Sequence, residues 1–471
     1  MPHPSTLFVL GAAMLAAGCL SAEDEAPSED NLSSTTQEIG VAPLNVAQWY
    51  GFNARSINAG FPAGALRIPV VIVESTKKEI RIPITVFGSV VWIEVWDNTL
   101  NHESEFYRKL VFGGVTPNAT DYFAEESHDK LTLVSAGRSN RLDMRSAPSE
   151  TGAYQAALKI AAGAPDAGNF DFTRYDTNGD GKVENTELWI LNIDGGSTTG
   201  NHNGGSNRRS DPRCPDVVTR NGTIKVCSTI IHVGDTVGFQ TLVHELSHVL
   251  GTHDLYGRWN VDSNFSAATV MGATIFATPD DRRTLYHDGW HRFQLGWERP
   301  SIVDLLDPDQ STGSHFLLPP GAWTGNGNIL IFGGVSYERY LLVEYRRPEG
   351  YDRDVRGDAL YVWSVEQDGN KNLRRDADFR NYYTLYLGPE ICTAGVWDDA
   401  GPGLSGCETV GNWDTTVPVD GAWRQFYLPN SAIHPRVRVV RSGDGARVEW
   451  QSMECEVRPG GGGSSCRPYQ P

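Results

Sequence analysis

Residues 244–254 read HELSHVLGTHD, and their spacing decides how the first half of the chain is to be read. His244 and His248 are four apart, so on a helix they lie one above the other on a single face. Two imidazoles so placed can share one Zn²⁺, with Glu245 beside them to act as general base on a zinc-bound water. Gly251 has no Cβ and lets the helix end in a left-handed turn, which can swing residue 254 back towards the metal. Asp254 would then supply a third ligand through oxygen. That leaves a fourth position open for water, which separates a catalytic zinc from a structural one. His253 is the rival third ligand; Asp254 is preferred because its neighbour in the turn points elsewhere.

An H-E-x-x-H alone also fits an amphipathic helix with two exposed histidines and a solvated glutamate. Three features weigh against that. Gly and Asp follow at the spacing a turn-borne ligand needs. No Glu occurs between Glu245 and Glu298, so a zinc site completed by a Glu from a later helix has no residue to use. Met is scarce, five in the chain, yet Met271 falls in the small-residue segment ATVMGAT, where a tight turn beneath the metal could form. Ordinary core filling is the competing reading of Met271.

A second metal motif lies upstream. Residues 176–187, DTNGDGKVENTE, match a calcium-binding EF-hand loop. Asp176, Asn178 and Asp180 offer side-chain oxygens at positions 1, 3 and 5, and Gly181 allows the sharp turn. Lys182 contributes its backbone carbonyl, Val183 packs inward, Glu184 coordinates directly or through water, and Glu187 closes the site with two oxygens. The apolar run LWILNI follows where an EF-hand has its exit helix, so the loop reads as a structural Ca²⁺ staple.

The chain has 471 residues and a net charge of -18, which offers no basic patch for nucleic acid. Residues 7–18, LFVLGAAMLAAG, are apolar but too short to span a bilayer, as in the core of a signal peptide. They run into LAAGC, which resembles a bacterial lipobox. Cys19 is then the lipidated first residue of an exported chain, held to a membrane at the cell surface or outer membrane. The other reading is an ordinary cleavable signal followed by secretion, and the leading MPHPST lacks Lys and Arg. Six cysteines remain, Cys214, Cys227, Cys392, Cys407, Cys455 and Cys466. An even number suits disulfides in an exported protein, and pairing neighbours in sequence is the economical choice among fifteen.

The expected organisation is a signal peptide over 1–19, an acidic Ser/Thr-rich tether over 20–44, and a zinc peptidase domain over 45–300. A β-rich domain over 301–455 and a tail over 456–471 follow. In the peptidase domain ALRIPVVIV, RIPITVFGSVVWIEVW and LWILNI read as strands. NHESEFYRKLVF, the start of TPNATDYFAEESHDKLTLVSAG, and SETGAYQAALKIAAG read as helices. From about residue 301 short runs such as NILIFGG, RYLLVEY, ALYVWSV and RVRVV alternate with turn residues, the pattern of an antiparallel β domain. The fold class is α+β, with a mixed sheet beside the active-site helix.

In this order the motifs resemble the immune-inhibitor-A-like metallopeptidases, a secreted bacterial branch of the metzincin clan. The resemblance runs from about residue 66 to 365. It is carried by LRIPVVIV, Phe112-Gly113, DYFAEESHDKLTL, FTRYDTNGDGKVENTEL, HELSHVLGTHDLYG, VMG, QLGW, YLLVEYRRPEGYD and ALYVWSVE. It implies His244, His248 and Asp254 as zinc ligands, Glu245 as catalytic base and Met271 as the Met-turn residue. Gly257 stands where the family commonly has Asp, and His253 where Pro is usual. The implied activity is hydrolysis of protein or peptide substrates. Tyr256, Tyr286, His287 and His291 are candidates to face the oxyanion, each with a structural role as the competing reading. A non-catalytic calcium-binding surface lipoprotein or adhesin is the alternative, against which the intact Glu245 argues.

Overall fold

The structure is a computed structural model. It describes residues 66–75, 78–86, 89–97, 102–138, 170–194, 214, 216–219, 221–235, 238–252, 255, 269–272, 282–322, 327–333, 339–355, 358–366, 383–385, 416–419, 421–426, 431–456 and 465–469. The signal-like segment with Cys19, the tether, the helix expected over 149–163, residues 253, 254, 256 and 257, and Cys392 and Cys407 lie outside these.

The first half begins with strands β1 (Leu66–Ser75), β2 (Lys78–Val86) and β3 (Ser89–Asp97). Helices α1 (Ser104–Phe112) and α2 (Ala119–Ser127) follow, then β4 (Leu131–Arg138). After these come β5 (Lys182–Val183), β6 (Trp189–Asp194), β7 (Asp216–Thr219), β8 (Gly222–Val226) and β9 (Ile230–Gly234). Two more helices close this half, α3 (Phe239–Val249) and α4 (Gly289–Gln294). The main sheet has the order β4-β1-β6-β9. All its described strands run parallel, where the sequence pattern leads one to expect a mixed sheet. Parallel neighbours need crossover connections, and the one between β1 and β4 runs through β2, β3, α1 and α2.

A parallel sheet is covered on both faces, and this is why PVVIV and LWILNI are nearly continuous apolar runs. Ile68, Val70, Ile72, Trp189, Leu191, Ile193, Ile231 and Val233 pack towards the helices. Val71, Val73, Ile190 and Ile230 point the other way, against Phe172 and against Val183, Val217, Ile224 and Val226 of a small sheet ordered β5-β8-β7.

The second half contains β10 (Ser301–Asp304), β11 (Thr312–Leu317), β12 (Ile329–Gly333), β13 (Arg339–Arg346), β14 (Ala359–Glu366) and β15 (Tyr383–Leu385). Then follow β16 (Thr416–Pro418), β17 (Arg424–Gln425), β18 (Ile433–Ser442), β19 (Gly445–Glu456) and β20 (Ser465–Pro468). One sheet is ordered β10-β12-β13-β14-β15, with β16 also on β14; the other is ordered β11-β19-β18-β17, with β20 on β19. Pairing is antiparallel as expected except between β10 and β12, which run parallel. Along β12 the side chains alternate between two cores. Ile329 and Ile331 join Trp290 and Phe293 of α4, whereas Leu330 and Phe332 join Val439, Val448 and Trp450 of the outer sheet. The β13 sheet is thus sandwiched between the helices and the outer sheet.

The seam between α4 and β13 is ionic as well as apolar. The fully buried Arg292 guanidinium donates to Glu344 at 2.9 Å and to the His287 carbonyl, and lies 3.2 Å from Glu298. Arg346 binds Asp352 through two nitrogens at 2.8 and 3.0 Å and donates to the Tyr286 carbonyl at 3.1 Å. Burial pushes the Asp352 carboxyl up to about 6 against the pull of Arg346. Replacing Arg292 with Met strands Glu298 and Glu344 in the core. The expected loss is about 3–5 kcal/mol of unfolding free energy, read from urea denaturation. A loss under about 1 kcal/mol would show that the pairing is dispensable.

His434 on β18 is buried, which lowers its imidazole from the ordinary 6.5 to about 4. As pH falls below 6.5 the unfolded chain takes up this proton first, so stability drops until about pH 4. The contribution is up to about 3 kcal/mol. The variant His434→Gln is expected to show a flatter stability profile across that window; an unchanged slope would sink the assignment.

Candidate metal centre

Helix α3 is enclosed on every side, and its residues from Phe239 to Val249 are buried except the half-buried His248. His244 and Glu245 are therefore not a solvated polar face, as the competing reading of the motif requires. The two imidazole rings lie 4.8 Å apart with planes at 89°. His244 Nδ1 is 2.8 Å from the Val270 carbonyl, and His248 Nδ1 is 3.0 Å from the Thr252 carbonyl. A carbonyl can only accept, so each ring carries its proton on Nδ1. That leaves the lone pair on Nε2, the tautomer in which a histidine ligates a metal while a carbonyl holds its other nitrogen. Two imidazole nitrogens so held are donors of a kind that zinc takes.

The helix ends as its sequence predicts. Gly251 takes φ 95° and its N–H returns to the His248 carbonyl at 3.0 Å. Asp254 and His253, the two candidate third ligands, lie outside the described residues. Among the described residues no three His, Cys, Asp or Glu side chains gather as a metal would require.

Met271 sits in a tight turn directly against this helix. The Gly272 N–H binds the Thr269 carbonyl at 3.1 Å, and the Met271 carbonyl accepts from Leu255 N–H at 2.9 Å. The Thr252 hydroxyl lies 3.5 Å from the Met271 sulfur, and Val270 and Met271 are fully buried. Both histidines are thus oriented by carbonyls, of Val270 and Thr252, that this turn places or touches.

Tyr286, His287 and His291 are all buried against carboxylates. The Tyr286 hydroxyl donates to Glu125, His287 Nδ1 is 2.6 Å from Glu126, and His291 Nδ1 is 2.7 Å from Asp288. Tyr256, the fourth oxyanion candidate, lies outside the described residues. Thr252, Thr269 and Asp288 carry no motif that singles them out in the sequence. The one visible signal is Asp288 as the first residue of an Asp-Gly-Trp-His helix start, where its side chain accepts from His291 N–H at 3.1 Å.

The loop over 176–187 is wound as an EF-hand loop is. Asp176 accepts from the N–H groups of Gly179, Asp180 and Gly181 at 2.8, 3.0 and 3.0 Å. Glu187 reaches back to Thr177 N–H at 2.7 Å, Asn178 N–H at 3.2 Å and Glu184 N–H at 3.1 Å. Asn178 accepts from Asp180 N–H and Asp180 from Lys182 N–H, both at 2.9 Å. Gly181 adopts φ 82°, which a side chain would strain. Val183 is buried in β5, and Lys182–Val183 pairs with Lys225–Val226 of β8. Cys227 of the adjoining segment is bonded to Cys214, and Cys455 is bonded to Cys466. The all-oxygen donor set suits a hard cation such as Ca²⁺.

Calcium at 100 times its dissociation constant is expected to stabilise the folded chain by about 2.7 kcal/mol, read as a rise in Tm over the chelator-treated protein. Glu187→Gln should remove that rise. Equal Tm with calcium and with chelator would count against the site. No family model matches this chain, and no curated protein matches it.

Proposed function

We propose that the chain is an exported zinc-dependent endopeptidase that hydrolyses peptide bonds of extracellular proteins, on a metzincin-like catalytic domain followed by a β-rich domain. One observation carries the reading. His244 and His248 stand on one helix face with both Nδ1 atoms tied to backbone carbonyls, and Glu245 is buried between them in sequence. Asp254 is the third ligand in this proposal. A zinc ion held by these residues would supply a Lewis acid for the scissile carbonyl and a water of lowered pKa.

The chain's own chemistry centres on Glu245. Its carboxylate takes a proton from the attacking water and delivers it to the leaving amine nitrogen. The water oxygen ends on the carbonyl carbon, and the C–N bond breaks. The buried environment of α3 keeps the carboxylate away from bulk solvent, so its proton is directed to the reacting atoms. In this reading the loop from Asp176 to Glu187 holds Ca²⁺ as a staple between β5, β6 and β8. Lys182 contributes its carbonyl, and Glu184 coordinates directly or through water. The chain reaches the cell surface through lipidation of Cys19 or is released after a cleavable signal. Bonds between Cys214 and Cys227 and between Cys455 and Cys466 suit such an oxidising location.

Cleavage of a denatured protein substrate by the chain from residue 20, compared with Glu245→Gln at matched zinc content and with calcium present, tests the reading. Wild type should cleave, and the variant should be slower by at least about 10²-fold. Absence of cleavage by both would favour the non-catalytic adhesin.

A further inference from the structure

Behind the two histidines lies a second layer that neither the motif nor the turn residue explains. The Thr269 hydroxyl donates to Asp288 Oδ2 at 2.9 Å and accepts from the backbone N–H groups of Met271 and Asp288, each at 3.2 Å. One hydroxyl thus ties the start of the 269–272 turn to the start of α4. Asp288 is held in turn from three sides: its Oδ1 accepts from His291 N–H at 3.1 Å, while Oδ2 meets His291 Nδ1 at 2.7 Å and the threonine. Val270 N–H is fixed by the Tyr286 carbonyl at 3.1 Å. Thr269, Val270, Met271 and Asp288 have no exposed surface. The Val270 carbonyl that receives His244 Nδ1 therefore sits on a turn with no slack.

We propose that Thr269 and Asp288 are positioning residues for the His244–His248 centre, a role that rests on the zinc reading above. Their hydrogen bond sets the place of the Val270 carbonyl, and through it the angle at which His244 presents Nε2. The same turn carries the Met271 sulfur that meets the Thr252 hydroxyl, and the Thr252 carbonyl orients His248. A buried hydroxyl–carboxylate pair between the turn and α4 thus governs both ligands without touching the metal. Outer partners of this kind are worth about 10–100-fold in metal affinity.

The test uses the chain from residue 20, stripped of metal at the zinc centre with calcium kept present. Zinc affinity is measured by competition with a chromophoric chelator, and ligand geometry by the visible absorption of added Co²⁺. Thr269→Val removes the donor at nearly constant volume, Thr269→Ser restores it, and Asp288→Asn removes the charge. Thr269→Val and Asp288→Asn should bind zinc about 10–100-fold more weakly and shift the Co²⁺ bands, while Thr269→Ser keeps both near wild type. Near-UV circular dichroism confirms the fold of each variant, and Asp288→Asn carries the test should Thr269→Val lose that signal. Wild-type affinity and Co²⁺ spectrum in both disruptive variants would overturn the positioning role and leave the zinc reading standing. Failure of wild type to take up either metal, or uptake unchanged in His244→Ala, would overturn both.

Discussion

Two deeply buried guanidinium groups, Arg292 and Arg346, set the constraint on which the site depends. A charge so deeply buried is tolerated only when its hydrogen bonds are met by acids and carbonyls. Here the partners are Glu344 and Asp352 in the second half of the chain, and the backbone carbonyls of Tyr286 and His287. The segment 286–292 is therefore clamped between α2, which offers Glu125 and Glu126, and β13. The 269–272 turn hangs on this clamp through Tyr286 and Asp288, and α3 leans on that turn through His244. Ion pairing deep in the core is thereby connected, link by link, to the orientation of a single imidazole.

The layered architecture explains why the clamp can be rigid. The parallel sheet is covered on one face by the small sheet beside the loop at 176–187 and on the other by the helices. Beyond the helices lies the β13 sheet, itself covered by the outer sheet. Interiors of this kind are close-packed, so a displacement at one layer has nowhere to dissipate. The β-rich half is for that reason part of the support of the candidate centre, and its aromatic side chains Tyr340, Tyr361 and Trp363 share a core with Val243 and Leu246 of α3.

Much of this architecture is legible in the amino-acid order alone. PVVIV and LWILNI announce strands covered on both sides, and their alternate side chains do enter two separate cores. Gly251 announces the end of the helix and takes the positive φ that its lack of Cβ allows. The spacing of Asp176, Asp180, Gly181 and Glu187 announces a wound loop, and backbone donors do converge on those acids. Less legible is strand direction. Nothing in a run such as SIVD says that it lies parallel to NILIFG, because direction follows from where the connecting chain must travel. The oxyanion candidates are a similar case: Tyr286 and His287 are chemically able, and the carboxylates that hold them lie 161 residues away in sequence.

The sequence by itself determined everything that rests on fixed backbone periodicity. Four residues place His244 over His248, two residues alternate a strand between its faces, and twelve residues wind a loop whose backbone N–H groups meet Asp176, Asp180 and Glu187. Only the tertiary structure decided which nitrogen of each histidine would be held, because the Val270 carbonyl that fixes His244 comes from 26 residues away. It also decided that Thr269 would meet Asp288, and that Arg292 would find Glu344 across 52 residues. Local geometry relates residues within a turn or two of one another. Partners further apart are selected by packing and by the cost of leaving a buried polar group unmet, and neither is written in spacing.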